Sequence, residues 1–157
     1  MTEPSILAAD PARSAWVAAN AGSGKTFTLA NRVTRLLLAE VNPEKILCLT
    51  YTKAAAAEMQ GRLFKLLGEW SMLPDDQLAE NIAQVGADPG GAKQLRQARR
   101  LFAQALETPG GLKIQTIHAF CQSLLTRFPI EAGIAPSFEV LDEQTARRVR
   151  HVVTEDE

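Results

Sequence analysis

The apolar positions of this chain follow two rhythms. Leu29, Val33, Leu36 and Leu37 recur at i, i+4, i+7 and i+8, and Met59, Leu63, Leu66, Leu67 and Trp70 keep the same kind of spacing. Both sets predict amphipathic helices. Pro43, after Asn42, is expected to end the first of them, because proline does not continue helical geometry. Pro74 and Asp75 open a short helix, and Leu95, Ala98, Phe102 and Leu106 mark a longer one. The glycine- and proline-rich stretches at 86–91 (GADPGG) and 108–111 (TPGG) read as breaks. The clearest stripe is Ile117, Phe120, Leu124, Leu125 and Phe128, stopped by Pro129. Short apolar runs at 15–19 (AWVAA), 46–49 (ILCL) and 112–116 (LKIQT) predict strands, with Thr50, Tyr51 and Thr52 at the carboxyl end of the second. A further brief strand is expected over 137–141, after which Asp142 caps a last helix running through Val153. Strands alternating with helical patterns predict an α/β fold with a parallel sheet and right-handed crossovers. A helical insertion over about 71–111 separates the second and third strands.

Length and composition add bounds. A chain of 157 residues can bury one sizeable core. Its 46% apolar and 22% charged content is that of a soluble globular protein. The formal net charge is −1, so any nucleic-acid contact must come from a local patch. Two patches offer themselves, Arg96, Arg99 and Arg100, and Arg147, Arg148 and Arg150; the plainer reading of each is a solvated helix face. Cys48 and Cys121 stand far apart inside apolar runs and read as small buried hydrophobes, not as a disulfide framework or zinc site. The first residues carry Glu3 and Asp10 and do not form a signal peptide. No apolar run reaches bilayer-spanning length. A cytoplasmic protein with no membrane contact is expected.

Residues 19–26 (ANAGSGKT) carry the first chemistry. They fit G-x-x-x-x-G-K-[ST], with Ala19 in place of the first glycine. Gly22 and Gly24 allow the backbone to curl so that successive N–H groups converge on a phosphate. The following helix N-terminus adds partial positive charge. The candidate nucleotide-binding residues are Ala19, Asn20, Ala21, Gly22, Ser23, Gly24, Lys25 and Thr26. Lys25 is suited to the β- and γ-phosphates, and the Thr26 hydroxyl to a magnesium ion. A glycine-rich turn with an exposed lysine would share these residues, but the strand–loop–helix context would then be coincidence.

Two further stretches narrow the reaction class: residues 49–63 (LTYTKAAAAEMQGRL) and 113–125 (KIQTIHAFCQSLL). Together with AANAGSGKT and SFEVLDE, in this order and spacing, they resemble the first motifs of UvrD-like superfamily 1 DNA helicases, and in particular AddA-type helicase–nuclease subunits. The resemblance runs from about Asp10 to Val153. It implies a partial RecA-like P-loop NTPase motor domain over 1–135, followed over 136–157 by the start of a helical insertion domain, within a longer enzyme. It implies ATP and Mg2+ as cofactors, with Lys25 and Thr26 as the catalytic residues present, and single-stranded or duplex-end DNA as substrate in double-strand break repair. An AddB-like partner is also implied.

By the same resemblance Thr50, Tyr51, Thr52, Lys53, Thr116 and His118 would contact DNA. Tyr51 can stack on an unpaired base, and Thr116 and His118 can reach phosphate oxygens. Each has a structural alternative: Tyr51 as a core aromatic, Thr52 as a helix N-cap, His118 as a structural histidine. Relatives carry lysine where Ala54 stands, so the positive charge moves to Lys53. They also carry an adenine-reading glutamine upstream of the loop; that position falls near Ser5, which cannot present a paired donor and acceptor.

Hydrolysis further requires an acid on an apolar strand. The candidate is 138–146 (FEVLDEQTA), with Asp142 ordering magnesium and Glu143 polarising water. Glu139 interrupts the apolar run that a central parallel strand should show, and Asp142 fits an N-cap instead. The expectation is that this chain holds ATP without the acid that would use it. Other classes considered are a non-catalytic nucleotide- or DNA-binding module and a small P-loop kinase. The kinase leaves TYTKAAAAEM and TIHAFC unexplained.

Overall fold

The computed structural model describes residues 3–18, 20, 22, 24–141, 145 and 148. They fall into two compact units, Met1–Thr116 and Ile117–Glu157. The first contains, in chain order, α1 (Glu3–Ala8), α2 (Lys25–Leu38), a 3-10 turn over Pro43–Lys45, β1 (Leu47–Thr50), α3 (Lys53–Met72), α4 (Asp75–Gln84), α5 (Ala92–Glu107) and β2 (Lys113–Thr116). The second contains α6 (Ile117–Arg127). β1 and β2 pair in parallel, Leu47 opposite Lys113 through Thr50 opposite Thr116. Parallel neighbours need a crossover of a dozen or more residues, and α3, α4 and α5 supply it.

Helix α3 is the axis of the core. Met59, Leu63, Leu67 and Trp70 lie on one face and are at most 1% exposed. They belong to one cluster with Val33 and Leu37 of α2, Leu78 and Ile82 of α4, Leu101 of α5, and Cys48 of β1. Phe64 meets Phe102 edge-on, with centroids 6.2 Å apart. Most of the α2 and α3 stripe positions are thus on the faces that pack, whereas Leu29 is 38% and Leu106 58% exposed and α5 buries Leu101 and Ala105 beside Leu95 and Ala98. Burial pushes the Cys48 thiol up to about 11, so it stays neutral and unreactive near pH 7. Cys121 departs from expectation: it is exposed on α6.

The ends of the helices have local causes. At the start of α3 the Thr52 hydroxyl accepts the Ala55 N–H at 3.1 Å, an N-cap. Thr52→Ala is expected to destabilise the fold by about 1 kcal/mol, read as a lower urea midpoint with an unchanged m-value. Helix α2 stops several residues before Pro43, and by a different device. Glu40 takes φ 59°, and the Glu40 and Val41 N–H groups donate back to Leu37 O and Leu36 O at 3.0 and 3.1 Å. This is a Schellman-like closure on a residue other than glycine. Asn42 then caps the 3-10 turn through the Glu44 N–H at 2.9 Å.

Two expected strands do not form. Residues 14–18 are irregular, with Trp16 94% and Val17 46% exposed. Residues 137–141 include a turn closed by the Phe138 N–H on Ala135 O at 3.1 Å, and Val140 and Leu141 are half-exposed. An apolar run becomes a strand only where a neighbouring backbone pairs with it, and among the described residues the sheet has two strands. The expected magnesium-ordering pair, Asp142 and Glu143, lies outside the described residues, as do Arg147, Arg150 and nearly all of the last helix. α6 forms where its stripe predicts, yet none of its residues is buried; Ile117, Leu124, Leu125 and Phe128 are 37–47% exposed.

Candidate nucleotide and nucleic-acid site

The loop before α2 curls at its two described glycines. Gly22 and Gly24 adopt φ 78° and 83°, in the left-handed region that only glycine enters without cost. A Cβ at either would meet nothing within 4 Å, so the demand is on backbone torsion, not space. Gly24 is the N-cap of α2 and offers no side-chain acceptor. Gly24 itself thus brings no side chain over the helix N-terminus, where backbone N–H groups and the helix dipole suit an anion. Lys25 begins the helix, is exposed, and donates from Nζ to Asn20 O at 2.6 Å. Thr26 follows, half-buried. Ala19, Ala21 and Ser23 lie outside the described residues.

A cleft of about 480 Å³ opens beside Lys25, lined also by Ala8, Ser14, Val17, Thr28 and Arg32. Its wall is the N-terminal segment, and two arginines that the apolar pattern does not single out hold it there. Arg32 donates from Nη1 to Ala8 O and Asp10 O at 3.1 and 2.6 Å, and from Nη2 to Arg13 O at 2.6 Å. Arg35 donates to Ile6 O at 2.9 Å and lies 3.8 Å from the Asp10 carboxylate. Planar guanidinium forks can gather several carbonyls at once. The one sequence signal for this role is a pair of arginines at i and i+3 on α2. Ser5, where an adenine-reading glutamine is expected, lines a smaller cleft of about 320 Å³ with Trp16 and Lys25.

The second group of candidates gathers at the carboxyl ends of the paired strands. Thr50 and Thr116 are register partners. Thr50 Oγ1 donates to Thr52 O at 3.0 Å, and Thr116 is 9% exposed. Tyr51 is 86% exposed, which removes the core-aromatic alternative. Thr52 carries the N-cap, so its hydroxyl already has a structural use. Lys53 is exposed at the first residue of α3. His118 belongs to the second unit, exposed on α6.

One comparison decides what these glycine torsions, the helix-initiating lysine and the exposed strand-end aromatic belong to. Residues 2–157 match the family described as UvrD/REP helicase N-terminal domain. The chain belongs to that family. Among similar proteins is an ATP-dependent helicase/nuclease subunit of Desulfitobacterium hafniense (strain DSM 10664 / DCB-2), 35% identical over 144 residues, covering 89% of this chain and 9% of the relative. Its namesake in Listeria monocytogenes serotype 4a (strain HCC23) is 32% identical over 142 residues, covering 88% and 10%. That of Desulforudis audaxviator (strain MP104C) is 35% identical over 143 residues, covering 89% and 10%. The chain thus spans about a tenth of the length of these relatives. No solved structure matches it. For this UvrD/REP domain the described architecture is mixed, with helices around a small parallel sheet. No helix among the described residues is long and apolar enough to cross a membrane.

Proposed function

We propose that this chain is the ATP-binding, N-terminal part of a RecA-like motor in an ATP-dependent DNA helicase that serves double-strand break repair in the cytoplasm. The observation that carries the reading is the left-handed Gly24 opening α2 with Lys25 beside the cleft, in a chain whose relatives are named ATP-dependent helicase/nuclease subunits. The residues present fit a magnesium nucleotide: the N–H groups at the glycine-opened start of α2 and the Lys25 ammonium would take phosphate oxygens, and Thr26 would offer a hydroxyl to the metal. A magnesium ion held there would supply neutralisation of phosphate charge. Residues 1–135 form the motor part in this reading, with 71–111 its helical insertion and 136–157 the start of the next domain. A longer parent enzyme, working with an AddB-like partner on duplex ends and single strands, belongs to the same proposal.

DNA would lie across the strand ends at Thr50, Tyr51, Thr52, Lys53 and Thr116, with His118 as a further contact. Tyr51→Ala is expected to weaken single-strand binding about 5- to 150-fold, the worth of ~1–3 kcal/mol of base stacking; equal affinity in a fluorescence-anisotropy titration of labelled oligonucleotide would remove the stacking role. ATP turnover, with and without single-stranded DNA, tests the rest. The expected result is magnesium-ATP binding with negligible hydrolysis. Turnover abolished by Asp142→Asn would instead make residues 138–143 the acidic motif.

A further inference from the structure

A basic face on α5 lies apart from the nucleotide loop. Proximity in sequence groups Arg96, Arg99 and Arg100, but the structure separates them. Arg99 turns back on the start of α4, donating from Nη2 to Leu73 O at 2.8 Å and to Asp75 Oδ1 at 2.5 Å. Lys93 takes its place. Lys93, Arg96 and Arg100 stand at i, i+3 and i+7, so they share one side of the helix. All three are exposed, and none forms an ion pair among the described residues. They line a cleft of about 370 Å³ with Gln97, Gln104 and Glu40. Gln97 Nε2 donates to Leu38 O at 3.4 Å, which sets this face against the carboxyl end of α2. The phosphate loop sits at the amino end of that 14-residue helix, about 20 Å away at 1.5 Å per residue.

We infer that this face is a second nucleic-acid contact, which grips the phosphate backbone of duplex DNA. Its length fits. The three cations extend about 10 Å along the helix axis, comparable to three phosphate intervals of one strand at ~3.4 Å of duplex axis each. Its composition fits as well. The exposed residues that continue this side of the helix are Ala103, Gln104 and Glu107, and no large apolar side chain stands among them. A protein partner would take its affinity from buried aromatic or aliphatic anchors; a polar face whose cations lack acidic partners suits a polyanion, which positions through phosphate contacts alone. The amino end of α5 adds partial positive charge beside Lys93. Glu40 in this cleft opposes it, as do Glu44 and Glu107 in the adjoining cleft that Arg100 also lines. The inference rests on the reading of the chain as part of a DNA motor, and it adds to that reading a contact away from the strand ends.

The test is anisotropy of a labelled 20-base-pair duplex against salt, using the full chain and Lys93→Gln/Arg96→Gln/Arg100→Gln. Between 50 and 200 mM salt the parent is expected to lose about 40-fold more affinity than the triple variant, since three phosphate contacts contribute about 0.9 each to the logarithmic slope. Arg96→Gln alone, with folding checked by circular dichroism, should flatten the slope by about 0.9. Glu40→Gln should tighten binding, and Lys65→Gln, an exposed lysine elsewhere, should leave the slope alone. Equal slopes for parent and triple variant, or no duplex binding by the parent, would overturn the inference. So would an acidic polypeptide that binds through these residues while the duplex slope stays unchanged. If the slopes are equal while Tyr51→Ala still weakens single-strand binding, the α5 contact fails and the motor reading stands; the converse pattern keeps the α5 contact and removes the stacking role.

Discussion

Lys25→Ala is expected to lower affinity for magnesium-ATP by about 10- to 150-fold, the equivalent of one charge-assisted hydrogen-bond set of ~1.5–3 kcal/mol. The direction follows from position. Lys25 is the first residue of α2 and exposed, and its Nζ donates to the Asn20 carbonyl five residues back at 2.6 Å. A phosphate arriving at the start of α2 competes with that neutral carbonyl for the ammonium, and the anion is the stronger acceptor. Alanine leaves the helix and glycine torsions intact while removing the charge. Isothermal titration should therefore show weak or absent binding together with an unchanged thermal midpoint. Unchanged affinity would mean that the loop is a turn and the lysine a surface residue. A parallel loss of folding would mean that the Lys25–Asn20 bond is structural, and the proposed role would lose its support.

Trp70→Ala is expected to cost about 3–5 kcal/mol of stability, the range for truncating a large aromatic in a packed core. Trp70 is fully buried in the core cluster that α3 shares with residues of α4 and α5, and a domain of this size has roughly 5–15 kcal/mol to lose. Trp70→Phe separates packing from polarity. The indole Nε1 is buried without a hydrogen-bond partner among the described residues, so phenylalanine removes an unsatisfied donor worth ~1–3 kcal/mol while leaving a cavity that costs about 1 kcal/mol. The expected stability is within about 1 kcal/mol of the parent. Urea denaturation followed by circular dichroism measures both variants. A phenylalanine variant as damaged as the alanine one would show that Nε1 has a partner, such as a buried water.

Much of the helical architecture is legible in the periodicity, and particular residues show why. Val33, Leu37, Met59, Leu63, Leu67, Trp70, Leu95 and Ala98 all fall on the spaced positions and are buried, because a helix closes its own hydrogen bonds and asks the rest of the protein only to cover one stripe. The loop's backbone is equally legible: Gly22 and Gly24 sit at positive φ, the torsion that glycine alone adopts without cost. Partners at a distance are not. Residues 15–18 are as apolar as 46–49, yet among the described residues only the latter run feeds a strand, 47–50, which pairs with 113–116 sixty-six residues on. Nothing local marks Arg32 and Arg35 as anything but surface cations, and it is the N-terminal segment folding back on them that gives them their role.

Local sequence is thus enough to say which segments coil, where the glycine loop opens α2, and which family's motifs follow one another in order, because those depend on contacts within a few residues. Only in the folded chain does it emerge which apolar runs become strands, that Tyr51 faces solvent while Cys48 does not, that Arg99 is tied to Asp75, and that Lys93 joins Arg96 and Arg100 on one face. Each of those outcomes turns on a backbone or side chain far away in the chain, and no local pattern encodes the neighbour that satisfies it.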